Sequence, residues 1–176
     1  MTGEEIQKAT TYLRENVIRK RQIIDELIPL TSEVVRVSRI HKRTKSKKLI
    51  RYQLVVISGN QEVGVFGIGV GKNIEYRLAV KEGINKSKKN LKLITKGCGS
   101  RDCFCTTKKH SIPARKTHKV GSTVVELIPG PLKLGLRASP AGKKLLGLGG
   151  IEDLMVVSRG NKNNKLNMLK AIYEAI

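Results

Sequence analysis

Three short runs rich in β-branched residues follow one another in this chain, Glu33 to Ile40, Leu49 to Ile57 and Val63 to Val70, and no other feature restricts its fold as tightly. Runs of that length with partial alternation suit strands, because successive side chains fall on opposite faces of a sheet. Ser58-Gly59-Asn60 carries a tight-turn signal and predicts an antiparallel hairpin between the second and third runs. From Asn73 to Leu91 the period changes: Tyr76, Ala79, Val80, Gly83, Ile84, Ser87 and Leu91 share one helical face, with Arg77, Lys81, Lys88 and Lys89 off it. Ahead of the strands, residues 4 to 28 read as a helix with Leu13, Val17, Ile24 and Leu27 near helical spacing, Lys20 interrupting the stripe and Pro29 as the stop. The order is helix, three-stranded antiparallel sheet, helix.

Residues 94 to 121 show little periodicity and read as a linker or an extended hairpin. A second unit follows. It comprises a strand Ser122 to Ile128, a Pro129-Gly130-Pro131 turn, a helix Pro140 to Leu148, a strand Leu154 to Ser158 and a final helix Asn163 to Ile176. That last helix places Leu166, Leu169, Tyr173 and Ile176 on one stripe, which should pack on a sheet. The fold class is therefore α+β in four parts: an N-terminal extension (1–30), a helix-flanked sheet domain (31–94), a basic Cys/His-containing connector (95–121) and a C-terminal α/β domain (122–176). Halves of about 70 to 80 residues lie near the lower limit for independent folding, so partner surfaces are expected to contribute stability.

Charge narrows the function. The chain has 35 Lys plus Arg against 14 Asp plus Glu, a net charge of +21, and such an excess calls for a polyanion. Nucleic acid is the natural one, since each cation placed on a phosphate releases condensed counterions. No run of about 18 apolar residues exists, and Met1 to Thr11 lacks the basic and apolar regions of a secretory signal, so the expected setting is cytosolic with no membrane partner. Three cysteines, an odd number, do not form a framework of secreted disulfides.

The cations cluster. From Val34 to Gln61 there is no acidic residue, while Arg36, Arg39, Lys42, Arg43, Lys45, Lys47, Lys48 and Arg51 accumulate around a loop His41 to Lys48; the alternative is a solvated surface loop. Gly83 to Val125 holds eleven Lys or Arg and only Asp102, including Lys108, Lys109, Arg115, Lys116 and Lys119, with His110 and His118 among them. Arg there would offer bidentate phosphate contacts and Lys point charges. No nucleophile or acidic orienting partner accompanies His110 or His118 in sequence, which argues against catalysis by either.

Gly67-Ile68-Gly69-Val70-Gly71-Lys72 resembles a nucleotide-binding loop only superficially. A phosphate loop needs Gly where Phe66 stands and Ser or Thr where Asn73 stands, and a dinucleotide fingerprint needs Gly at Lys72. Alternating glycine on one strand face instead admits a helix or an RNA backbone at close range, with Lys72 at the next helix start suited to a phosphate. Cys98-x4-Cys103-x-Cys105-x4-His110 supplies three thiols and an imidazole, enough for a tetrahedral Zn2+ site; free thiols in a loop are the alternative. Six aromatics and no Trp speak against base stacking as the main binding mode.

Taken in order, these stretches resemble the universal small-subunit ribosomal protein five family, called protein two in eukaryotes, and in particular its archaeal type. The pieces that carry the resemblance are Tyr52 to Gly59, Gly67-x-Gly-x-Gly-Lys72 with Glu75, and Lys88-Lys89-Asn90-Leu91. Further along they are His110-Ser-Ile-Pro113, Gly121-Ser122 leading to Leu127 to Pro131, Lys143 to Leu146, Gly150 to Asp153, and Arg159-Gly160 before the final helix. Gly97-Cys-Gly-Ser-x-x-Cys103-x-Cys105 resembles the archaeal members.

The resemblance implies a domain similar to a double-stranded-RNA-binding domain followed by a C-terminal α/β domain. It also implies no catalysis, no required cofactor and a cytoplasmic place in the small ribosomal subunit. There the chain would bind small-subunit rRNA near the channel through which mRNA enters, beside proteins three, four and eight, and act on assembly and decoding fidelity. Lys42 to Arg51 would reach into rRNA, with Arg159 and Lys162 adding contacts near the last helix. A free double-stranded-RNA-binding regulatory protein is the alternative function. The chain departs from the family pattern at Leu132 to Leu134 and Asn161 to Asn164, and its N-terminus is expected to be shorter than in eukaryotic relatives.

Overall fold

The computed structural model describes residues 28–101, 103–105 and 109–176. The helix expected over residues 4 to 28 lies outside the described residues except for Ile28, which is buried and not helical.

The three β-branched runs form strands longer than their apolar cores. β1 (Thr31–Arg43), β2 (Lys48–Asn60) and β3 (Val65–Asn73) pair antiparallel, and a short β4 (Leu91–Leu93) adds a fourth strand beside β3. Two expectations need correction here. The basic loop is mostly a hairpin arm: His41, Lys42 and Arg43 pair with Ile50, Leu49 and Lys48, and only residues 44–47 turn the chain. Thr44 closes that turn, its N–H and hydroxyl both donating to the Lys47 carbonyl at 2.9 and 2.7 Å.

Likewise Ser58-Gly59-Asn60 does not turn. All three are paired in β2, and the chain reverses at residues 61–64, with Gly64 at φ 73. Asn60 organises this turn from the strand end, since its Oδ1 accepts from Glu62 and Val63 N–H while its Nδ2 donates to the Pro29 carbonyl. Asn60→Ala should therefore cost about 1 to 3 kcal/mol, the usual range for stranded buried polar groups, read as a lower urea midpoint with unchanged slope.

Both faces of this sheet are covered, which explains why Leu54-Val55-Val56-Ile57 is continuously apolar rather than alternating. Leu54 and Val56 face the helix α1 (Tyr76–Lys89) together with Ala79. On that side α1 presents Ala79, Gly83 and Ser87 to the glycines of β3, so helix and strand backbones nearly touch. A Cβ at Gly71, Gly69 or Gly67 would fall 1.9 to 2.4 Å from the carbonyls of Ala79, Gly83 or Ser87. A hydroxyl chain, Ser32 to Ser58 to Ser87, crosses the same contact at 2.8 and 2.5 Å. Of the two readings of the alternating glycines, the structure selects the helix.

The opposite face carries Val55, Ile57, Phe66 and Ile68 into a core shared with Val125, Leu127, Leu145, Leu154, Leu169 and Ile172 of the C-terminal half. That half is a sheet of β5 (Lys116–Val120), β6 (Thr123–Pro129), β7 (Leu136–Arg137) and β8 (Leu154–Gly160) in the order β5-β6-β8-β7, with only β7 and β8 parallel. Its helices α2 (Pro140–Leu148) and α3 (Lys165–Ala175) lie between the two sheets. The layers are thus α1, first sheet, α2 with α3, second sheet.

The ends of α2 follow from local chemistry: Ser139 caps the Gly142 N–H at 3.2 Å, Pro140 occupies the first turn, and Gly150 at φ 71 ends it. β5 falls in the stretch read as a linker or an extended hairpin; Lys116, Thr117, His118 and Lys119 give no apolar alternation, and pairing with β6 makes them a strand. The stripe expected on the final helix also shifts. Leu169 is fully buried, but Leu166, Tyr173 and Ile176 are half-buried, while Met168, Ala171, Ile172 and Ala175 are buried. Wedged between two sheets and α2, α3 buries a broader face than one sheet would require.

Candidate nucleic-acid interface and metal centre

The β1–β2 hairpin is the most basic element of the fold, and from Arg39 to Lys48 every residue is exposed. Register sorts its cations. Arg43 stands opposite Lys48, and Arg39 stands opposite Tyr52, on the face shared with α1; Lys42 and Arg51 lie on the other face, and Lys45 and Lys47 are in the turn. Like charges directly across an antiparallel pair destabilise it, so the Arg43 and Lys48 pair suits a hairpin that works against an anion. Near its base, Arg39 lies over the Tyr52 ring at 5.6 Å, and Tyr52 meets Tyr76 of α1 edge-on at 6.0 Å. Those contacts stiffen the arm where it leaves the body. Arg36, next to the bulge between Val34 and Arg36, is half-buried.

The last turn of α1 adds Lys86, Lys88 and Lys89, on the negative end of the helix dipole. Lys86 is engaged by Glu82 at 2.5 Å, and Glu82 is held below the usual carboxylate range chiefly by that hydrogen bond and next by the Lys72 N–H. Lys72 itself is exposed but belongs to β3, not to a helix start, so the expected helix-terminal phosphate cradle does not form around it. Lys89 is exposed.

The connector cations are dispersed. Lys108 is outside the described residues, and Lys109 and Lys119 are exposed. Arg115 pairs with Glu126, Lys116 donates to the Ile176 carbonyl at 3.1 Å, and His118 Nε2 lies 2.7 Å from Glu174 Oε2. Pairing within the fold thus occupies three of the expected RNA ligands. Arg159 lies on the uncovered face of the second sheet near Arg115 and Val157, and Lys162 is exposed in the turn before α3. The expected RNA ligands are therefore spread over the hairpin, β3, the end of α1, the connector and the C-terminal half rather than gathered in one patch.

The connector brings its four metal-type donors together. Cys98, Cys103 and Cys105 Sγ and one His110 ring nitrogen all lie within 4.8 Å of one another, with Cys103 Sγ 3.4 Å from His110 Nε2. The three cysteines are free thiols. A hydrogen bond from Cys105 lowers the Cys103 thiol to about 6, and the bonds to Cys98 and Cys103 push the Cys105 thiol up to about 12. One thiolate forms readily in this trio, and a second is opposed by the first.

Sequence reasoning missed Asp153. Its Oδ2 lies 2.8 Å from His110 Nδ1, and both side chains are buried; the approach is close without being an aligned hydrogen bond. Nothing in local spacing could link residues 110 and 153, although Gly150 to Asp153 is one of the segments that carry the family resemblance. Lys92 was also missed. Its Nζ lies 5.6 Å over the Tyr173 ring, donates to the Tyr173 carbonyl, and is shifted down by burial.

Residues 30–95 match the family Ribosomal protein S5, N-terminal domain, and residues 118–176 match Ribosomal protein S5, C-terminal domain. The chain belongs to the ribosomal protein S5 family. Among its relatives, "Small ribosomal subunit protein uS5" of Thermofilum pendens is 39% identical over 166 residues, covering 94% of this chain and 81% of the relative. The proteins of that name from Methanocorpusculum labreanum and Methanocaldococcus jannaschii are 38% and 36% identical, covering 90% and 94% of this chain and 77% and 76% of theirs. These relatives are archaeal, in keeping with the resemblance of the Gly97 to Cys105 segment. In S5-family terms the hairpin and α1 belong to the N-terminal match, and Arg159 and Lys162 to the C-terminal match. The Cys/His cluster falls between the two matched segments.

Proposed function

We propose that this chain is a structural, non-catalytic protein of the small ribosomal subunit that binds small-subunit rRNA through its β1–β2 hairpin and works in the cytoplasm. The observation that carries the reading is an arm from Arg39 to Arg51 with seven exposed cations and no carboxylate, in a family whose relatives bear the name of small ribosomal subunit proteins. A hairpin of paired like charges gains stability only when phosphates approach, and each phosphate contact adds counterion release. On the same reading, Lys88, Lys89, Lys109, Lys119, Arg159 and Lys162 contact neighbouring RNA. The arm stands near the channel through which mRNA enters, proteins three, four and eight are neighbours, and assembly and decoding accuracy are the affected properties. The rRNA role needs no cofactor, while the Cys98, Cys103, Cys105 and His110 cluster takes up Zn2+.

Sedimentation of cell extracts tests this. The chain should travel with small subunits in equimolar amount and stay there through a rise in salt. A free double-stranded-RNA-binding regulator held by about six to ten phosphate contacts would lose about 10^3 to 10^5 in affinity between 50 and 200 mM salt and move to the top of the gradient, which would overturn the ribosomal assignment.

A further inference from the structure

We propose that the connector is a metal clip, in which Zn2+ bound by Cys98, Cys103 and Cys105 Sγ and His110 Nε2 fastens residues 98–110 to the C-terminal half, with Asp153 as the residue that positions His110. The inference rests on the assignment of a divalent metal to the cluster and adds what the metal does and what holds its imidazole.

Four donors of this kind suit zinc in number and softness; thiolate-rich sets disfavour Mg2+ and Ca2+. In a tetrahedral site with Zn–S of about 2.3 Å, sulfurs stand about 3.8 Å apart. The spread of 4.8 Å between donors therefore needs only a small contraction, and the Cys103 to His110 distance of 3.4 Å already fits. Three thiolates and Zn2+ carry a net charge of −1, which a chain of net +21 accommodates. Binding displaces the remaining thiol protons to solvent and requires no oxidant.

The site is built from both sides. Cys98 and His110 are brought together because the flanking backbone is already paired: Gly97 and Ser111 exchange two hydrogen bonds at 2.8 and 2.9 Å, and Gly99 N–H donates to the Ile112 carbonyl. Glycine is needed on this rung, since a Cβ at Gly99 would lie 2.2 Å from the Pro113 carbonyl oxygen. His110 is anchored elsewhere. Its carbonyl accepts from Glu152 and Asp153 N–H at 3.0 and 3.2 Å, and its ring Nδ1 lies 2.8 Å from Asp153 Oδ2. Asp153 in turn accepts from Gly135 N–H at 2.7 Å through Oδ1.

Three ligands thus come from a loop with little core of its own, and the fourth from a residue pinned to the loop before β8. A carboxylate beside Nδ1 keeps the ring proton there and leaves the Nε2 lone pair facing the thiols, the arrangement by which a carboxylate behind the ring fixes a metal-bound imidazole. A metal joining them closes the loop on the C-terminal sheet.

The experiment uses the full chain, metal analysis and Co2+ as a spectroscopic probe. One equivalent of zinc should copurify, and Co2+ should give tetrahedral thiolate bands that saturate at one per chain and vanish in Cys105→Ser. Asp153→Asn keeps the acceptor for Gly135 N–H but removes the charge, and should weaken metal affinity about 10- to 100-fold while the thiolate bands remain. Chelation should raise proteolytic cleavage within residues 99–109 of the wild type. Wild-type chain that binds no Zn2+ or Co2+, or that carries a disulfide between two of the cysteines, would overturn both the metal assignment and the clip. Stoichiometric metal with unchanged affinity in Asp153→Asn would overturn the positioning role alone, and stoichiometric metal with unchanged cleavage after chelation would overturn the clip alone.

Discussion

Gly69→Ala is expected to destabilise the protein by about 3 kcal/mol or more, at or beyond the upper end of what added methyl groups cost in packed interiors. The added Cβ would stand 2.0 Å from the Gly83 carbonyl oxygen and 2.4 Å from the Ser87 N–H nitrogen, so it meets helix backbone rather than a side chain that could turn away. Relief would require α1 to lift off β3, which opens the contact that buries Leu54, Val56 and Ala79 and breaks the Ser58 to Ser87 hydrogen bond. The backbone-entropy gain of replacing glycine, about 0.4 to 1 kcal/mol, is too small to offset this.

Gly147→Ala is the matched control. It lies in α2 with nothing within 4 Å of its Cβ position, and alanine there should be neutral or stabilising by up to about 1 kcal/mol. Urea unfolding of the two variants measures the contrast. Equal midpoints would mean that β3 and α1 are not in backbone contact.

Replacing Lys42, Arg43, Lys45, Lys47 and Lys48 together by Ala should lower rRNA affinity on the order of 10^3-fold or more near 0.1 M salt. It should also reduce the slope of log K against log salt by up to about 4.5, at about 0.9 per phosphate released. Stability should not fall with it. All five side chains are exposed, and Arg43 and Lys48 repel across the ladder. Filter binding at several salt concentrations, beside a thermal melt, separates loss of contacts from loss of fold. An unchanged slope would remove the hairpin from the RNA interface.

Much of the fold was legible because its causes are local. The bounds of α2 are those expected, residues 140–148, since Ser139, Pro140 and Gly149 act within one turn of the helix ends. The three β-branched runs and the helix behind them emerged in the expected order, because strand and helix periods differ enough to be read without neighbours. The failures have a common physical origin. Ser58-Gly59-Asn60 has the composition of a turn, yet Gly59 is glycine because a Cβ there would lie 2.9 Å from the Leu148 carbonyl of the other half. β5 has no apolar alternation, and only the β6 ladder makes it a strand.

For the candidate sites the division is similar. The donor types and spacing of Cys98, Cys103, Cys105 and His110 were visible within thirteen residues, because all four donors lie in one short stretch of chain. Asp153 was not, because the contact that makes it matter spans the fold.

Composition alone determined that this chain seeks a polyanion: with 35 basic and 14 acidic side chains, no arrangement of the fold can neutralise it internally. Which cations remain for that partner was decided by tertiary structure. Glu126 and the Ile176 carbonyl take up Arg115 and Lys116, whereas the hairpin from Arg39 to Lys48 is left exposed. The reason is range. Net charge is a sum over the chain and survives any folding, but pairing of one cation depends on which distant carboxylate or carbonyl the sheets and helices carry to within about 3 Å of it.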